Sequence, residues 1–412
     1  MPCGAAYVPY GVGAAWRSSS GCSVKYFSTT CRISPWVTAA SCIVPALAIA
    51  AFAVACVLGS AATLAQNAYI TNNDSNSVSV INTATSTVIA TIPIGYGPFG
   101  VSVTPDGGKV YIGSFGINTV GVIETATNTV IATIPSGPSA GIAAGQDGRR
   151  VYAANFYDES LSVIDTKTNT VIATVPGVGV SPYGVVVANQ KVYVANWTSP
   201  FTVTVVDAAT NKVIATIPIA SDSNAPGLAA SPDGRRVYVT NEIGDNVPVI
   251  DTGTDTVIAT IPVPISISAA VSPDGSKIYI PNRGNHIAVA DTQTNDLIIS
   301  SNFINGGLFG VSVTPDGREV YVANFDADLV TVVDAATGAI TATILVGSNP
   351  LAFGNFIQPK PTFAGTPGKS NCHGQSVSAL AQQYGGLNNA AAALGYPSVS
   401  ALQNGIEAYC EA

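Results

Sequence analysis

Charge is scarce in this chain: Asp, Glu, Lys and Arg make up 10% of its 412 residues, too little to solvate the outer faces of many surface helices. Histidine is scarcer still. His286 and His373 are the only two, which argues against a Ser-His-Asp triad or a multi-histidine metal centre. Cysteine is confined to the two ends, as Cys3, Cys22, Cys31, Cys42 and Cys56 and then Cys372 and Cys410. In quantity the chain has apolar residues (47%), glycine (40) and proline (26), a profile that suits many short strands joined by tight turns.

The longest apolar run, Val37 to Leu58, follows Arg32 and precedes Thr63-Leu64-Ala65, small residues at the two positions a signal peptidase reads. Cleavage after Ala65 is the expectation. Retention of the run as a membrane anchor is the alternative, because about twenty apolar residues span a bilayer. Cys56 makes a poor lipidation site, since Ala53-Val54-Ala55 lacks a bulky first residue. The 36 residues ahead of the run are long for a signal's basic segment, and a start at Val24 gives a compact one that begins with Lys25. Removing residues 1 to 65 takes away Arg17, Lys25 and Arg32 and no acid, leaving 13 basic against 24 acidic residues, a net charge of −11. Nucleic acid is a poor partner for that field. An export signal implies a periplasmic or secreted location.

The body of the chain is a repeat of about forty residues, the period of propeller blades. Tyrosine recurs at Tyr69, Tyr111, Tyr152, Tyr193, Tyr238, Tyr279 and Tyr321, at spacings of 42, 41, 41, 45, 41 and 42. Asn72, Asn155, Asn196, Asn241, Asn282 and Asn324 stand three residues after six of them, and Ser114 after the other. Each unit reads as four strands of β-branched and aromatic residues, punctuated by Pro-Asp-Gly turns such as Pro105-Asp106-Gly107 and by Thr-rich turns opened by Asp165, Asp207, Asp251, Asp291 or Asp334. The spacing predicts an all-β, seven-bladed propeller over residues 66–357. Stacking in a circle covers both faces of each sheet and leaves only short edges. The first repeat lacks an innermost strand and the last is followed by an orphan copy, Pro350 to Ile357, so this segment is predicted to complete blade 1. The recurrent Asn is expected to cap the turn after its strand by bonding nearby backbone.

In these residues the sequence resembles the YVTN-repeat propellers, which include YncE-like periplasmic proteins and surface-layer proteins. The motif stands as Tyr238-Val239-Thr240-Asn241, and in altered form as Tyr69-Ile70-Thr71-Asn72 and Tyr321-Val322-Ala323-Asn324. The resemblance spans residues 68 to 357 and implies the fold; the family's roles vary, so it names no activity.

Beyond the ring, residues 358–371 carry Pro359, Pro361, Gly365, Pro367 and Gly368 and read as a linker. Residues 372–412 then show two helical apolar stripes, Val377, Leu380, Ala381 and Tyr384 and later Val399, Leu402, Ile406 and Tyr409, around an Ala-rich segment between Gly385-Gly386 and Gly395-Tyr396-Pro397. Three helices are predicted. So small a module needs a staple, and a disulfide between Cys372 and Cys410 supplies it in an oxidising compartment.

Residues that break the repeat mark a candidate site. Loops between second and third strands carry Phe115, Phe156, Tyr157, Asp158, Trp197, Glu242, Arg283, His286 and Phe325; loops entering innermost strands add Tyr96, Phe99, Tyr183 and Phe309. Both sets are expected on one face, as an aromatic rim beside acids around the central opening, the composition of a recognition surface. His286 reads as a solvated loop residue or, alternatively, a general base. Together these features predict an exported, non-catalytic binding or display scaffold at the cell envelope, with no metal or cofactor and an unknown protein or small-molecule partner. Two alternatives are a lactonase-like hydrolase or isomerase and a self-associating surface layer.

Overall fold

In a computed structural model, which describes residues 66–219, 226–300, 304, 306–359, 369–383, 386–394, 396 and 398–411, seven antiparallel sheets form the blades of a β-propeller, and a small helical unit follows. The expectations for residues 1–65 lie outside the described residues, as do most of the linker and Tyr384, Gly385, Gly395 and Pro397.

Blade 1 contains β1 (Asn67–Asn72), β2 (Ser77–Asn82) and β3 (Thr87–Pro93); blades 2 to 7 each contribute four sequential strands. Residues 350–357 lie antiparallel to β1, with Ala68 opposite Ile357 and Asn72 opposite Pro350. Tyr69 N donates to Phe356 O (2.8 Å) and Leu351 N to Thr71 O (2.9 Å). The pairing continues through Gln358. Its N donates to Asn67 O (3.0 Å), its Oε1 accepts Asn67 N (3.0 Å), and its Nε2 donates to Gly107 O of blade 2 (2.9 Å). Composition alone puts Gln358 in the linker, but an amide that donates and accepts at once can tie two blades together.

The recurrent tyrosines are all buried, and five of the seven bond the next blade through their hydroxyls. Tyr69 Oη donates to Asn128 Oδ1 (3.0 Å), Tyr111 to Asn169 Oδ1 (2.7 Å), Tyr193 to Asp255 Oδ1 (2.7 Å), and Tyr321 to Thr83 O of blade 1 (3.3 Å). The acceptors Asn128, Asn169 and Asp255 sit in the Thr-rich turn of the following blade with φ of 52°, 52° and 54°, a region Asn and Asp tolerate better than most residues. Two residues before Tyr111, Tyr152, Tyr193 and Tyr238, Lys109, Arg150, Lys191 and Arg236 reach the equivalent turn of the next blade and bond the carbonyls of Thr166, Ala208, Thr252 and Thr292. Turn geometry and blade contact are thus specified by the same short stretch of sequence. The aspartates that open these turns accept backbone and hydroxyl bonds from the threonine three residues on, as in Asp207 with Thr210, which hold their carboxyls below the usual range.

The motif asparagines divide by what their hairpin partner offers. Asn72 Nδ2 donates to Ser77 and Ser79, Asn155 to Ser160 and Ser162, Asn196 to Thr202 and Thr204, and Asn324 to Thr331, all side chain to side chain. This departs from the predicted backbone caps. In blades 5 and 6 the third strands, Val247–Asp251 and His286–Asp291, carry no hydroxyl. There the caps form: Asn241 Oδ1 accepts Gly244 N (2.8 Å) and Asn282 Oδ1 accepts Gly284 N (3.0 Å).

The outermost strands repeat a nearly uncharged Thr-Val-Ile-Ala-Thr pattern that would template edge-to-edge pairing if flat. Each is bulged opposite the third strand, with register breaks at Val80/Ile81, Val122/Ile123 and their equivalents. In blades 1 to 6 the residue left out of the ladder is an exposed isoleucine, such as Ile89, Ile172 or Ile258, and in blade 7 it is Thr341. Bulges twist an edge away from a partner strand, and most of these strands end in proline, such as Pro93.

The helical unit comprises α1 (Cys372–Gln383), α2 (Leu387–Ala393) and α3 (Val399–Glu411), packed through Leu380, Ala390, Leu402 and Ile406. A disulfide joins Cys372 to Cys410, whose Cα atoms lie 5.7 Å apart. Burial pushes the Tyr396 phenol up to about 12. Among the described residues no helix is long and apolar enough to cross a membrane.

Candidate functional site

Strand direction places the loops between second and third strands, and those entering the innermost strands, on one face, and the Pro-Asp-Gly and Thr-rich turns on the other. On the loop face the sequence-predicted aromatics divide. Phe99, Tyr183 and Phe309, from blades 2, 4 and 7, meet Phe353 of the closing segment, with ring centroids 5.3–5.9 Å apart and edge-on or tilted contacts. Where the sequence predicts an open rim, these rings fill the axis. Phe353 carries a signal in hindsight: like Phe99, Tyr183 and Phe309 it precedes a glycine at the innermost strand.

Those glycines set how closely the innermost strands approach. A Cβ on Gly184 would lie 2.7 Å from Pro226 O of blade 5, and one on Gly227 would lie 2.5 Å from Ile267 O of blade 6. Gly100, Gly141 and Gly310 meet the next blade's backbone in the same way. Blade 6 has Ser268 in that position, and its Oγ donates to Phe309 O of blade 7. The narrow neck brings the aromatic side chains into mutual contact across the ring.

Outside the plug the rings continue as a network. Phe115 touches Phe99 (5.9 Å), Phe156 (5.1 Å) and Tyr157 (5.5 Å); Trp197 lies against Tyr183 (4.8 Å); Phe325 lies against Phe309 (6.1 Å). Tyr157 and Tyr96 stand out, 68% and 66% exposed. Glu242 pairs with Arg283, the acid 12% and the guanidinium 53% exposed, and burial together with the Glu242 charge pushes the Tyr183 phenol up. His286 begins the third strand of blade 6, where its backbone N donates to Asn282 Oδ1 (3.3 Å). Charge is unevenly divided. Among the described residues the loop face carries seven carboxylates, Asp74, Asp158, Glu159, Glu242, Asp245, Asp326 and Asp328, against the single cation Arg283. Every other described Lys and Arg of the ring lies on or beside the opposite, turn-bearing face.

Below the plug the axis opens into a blind cup of about 520 Å³ that reaches the Pro-Asp-Gly face at Pro105, Pro273, Pro315 and Pro359. Among the described residues no group of three or more His, Cys, Asp or Glu is placed to hold a metal ion.

No protein-family model and no curated protein matches the sequence. Among solved structures, a chain of Kuenenia stuttgartiensis hydrazine synthase is similar, at 21% identity and a TM-score of 0.60, over 65% of this chain and 92% of that one. The likeness is one of fold. A propeller ring is common to both, and the identity is too low to transfer a site.

Proposed function

We propose that this chain is an exported, non-catalytic binding propeller whose loop face recognises a cationic partner at the cell envelope. The observation that carries this reading is the coincidence, on one face, of seven carboxylates opposed by one Arg among the described residues, an aromatic network that ends in exposed Tyr157, and the exposed ring of Tyr96. Clustered carboxylates attract cations over the range of a Debye length, and aromatic faces hold them at contact through the ring quadrupole. The plug makes the surface rigid, so little ordering entropy opposes binding. Export and an envelope location rest on the N-terminal apolar run, the Cys372–Cys410 disulfide and the resemblance to YVTN-repeat proteins.

Binding of a lysine decapeptide, with a glutamate decapeptide as control, tests this reading. The lysine peptide is expected to bind and raise the melting temperature, with affinity falling as salt rises. Tyr157→Ala and Trp197→Ala should each weaken binding roughly tenfold, the range of a single aromatic contact. Equal affinity of these variants and the parent, or equal binding of the glutamate peptide, would overturn the proposal.

A further inference from the structure

The cup on the other side of the plug has a different chemistry. Its wall is made by the innermost strands of blades 2 to 7 and the closing segment, and among the described residues none of its lining side chains is ionisable. Ile142, Val185, Val187, Val311 and Val313 give it apolar surface, and Phe353 lies at its closed end. Exposed polar side chains are few: Asn355, whose Oδ1 accepts Ser312 Oγ (3.2 Å), and Gln146 at the mouth. The aspartates of the surrounding turns do not contribute. Asp106, Asp274 and Asp316 are folded back onto the hydroxyls of Thr104, Ser272 and Thr314 at 2.5, 2.6 and 2.7 Å.

We propose that this cup is a second binding site, for an uncharged organic molecule with an apolar body and one or two hydroxyl or carbonyl groups. Its volume lies in the range of small-molecule pockets. An ionic ligand would lose its hydration there without meeting a counter-charge, a cost that excludes nucleotides, sugar acids and amino acids. Asn355 and Gln146 each offer both a donor and an acceptor, enough to orient a hydroxyl or carbonyl while the aliphatic wall takes the body. The cup and the loop face lie on opposite sides of the plug, so the two sites can be tested separately.

The full chain should be titrated with three probes: 2-naphthol, its anionic counterpart naphthalene-2-sulfonate, and glucose. The naphthol is expected to bind one molecule per chain, and the sulfonate at least roughly tenfold more weakly. Asn355→Trp, which places an indole in the cup, should abolish naphthol binding; Gln146→Trp at the exposed mouth should do the same and serves if the first variant fails to fold. Trp197→Ala, on the loop face, should leave naphthol binding unchanged. Equal binding of naphthol and sulfonate, naphthol binding that persists in a folded cup variant, or binding of glucose without naphthol would each overturn the proposal.

Discussion

Replacing Gly184 or Gly227 with alanine is expected to lower the melting temperature by roughly 5 °C, corresponding to about 3 kcal/mol for a domain of this size. A methyl on Gly184 would sit 2.7 Å from Pro226 O and 3.2 Å from Gly227 Cα. Favourable carbon contacts begin at about 3.5 Å, and the obstructing atoms are backbone, so no rotamer change relieves the overlap. The innermost strands would have to separate, which loosens the neck and parts the rings of Phe99, Tyr183, Phe309 and Phe353 together. Gly108 is the control. A methyl there meets nothing nearer than 3.5 Å, and equivalent turns carry Arg149, Arg235 and Arg318, so Gly108→Ala should melt close to the parent. Thermal unfolding followed by circular dichroism compares the three.

Raising the pH above about 10 is expected to unfold the ring in a single steep transition. Burial raises the phenol pKa of all seven motif tyrosines, from Tyr69 to Tyr321. A folded pKa above the unfolded value of about 10 means that the stabilisation is fully present below pH 10 and is lost as pH rises toward the folded value. Each phenol then costs about 1.4 kcal/mol per pH unit, and seven together on the order of 10 kcal/mol, comparable with the whole stability of a typical domain. Tyrosinate absorbance from the motif tyrosines should therefore rise together with the loss of strand signal. Ionisation of the motif tyrosines with native circular dichroism throughout would contradict seven phenols buried in the folded ring.

The number and type of elements were legible because both are written in local spacing. A tyrosine every 41 to 45 residues, an alternation of β-branched positions and Pro-Asp-Gly turns need no long-range knowledge to become blades. The missing strand before Tyr69 and the surplus one at Pro350 to Ile357 likewise follow from counting copies. Contacts between blades were less legible. Gly184 and Gly227 look in sequence like ordinary breaks in a strand, and only their distance to Pro226 O and Ile267 O reveals a packing constraint. The shared face of Phe99, Phe115, Tyr183, Trp197 and Phe309 follows from strand direction. Whether such side chains ring an opening or close it depends on the neck radius, which no single repeat specifies. Gln358 and the hydroxyl partners of Asn72, Asn155, Asn196 and Asn324 were missed for a related reason: an amide's bonds depend on which donors and acceptors a neighbouring strand presents. The cup is the least legible feature, since its wall is the edge of many strands and it has no motif.

The closed circle is the central claim, and truncation tests it most directly. Two chains beginning at residue 66 should be compared, one ending after Pro359 and one after Asn349. The longer is expected to melt cooperatively as a monomer. The shorter leaves the Tyr69 strand without the bond its Tyr69 N donates to Phe356 O and the one Thr71 O accepts from Leu351 N, and should aggregate or unfold in a broad transition. Identical, cooperative melting of the two chains would contradict a ring held shut by its own C-terminal strand.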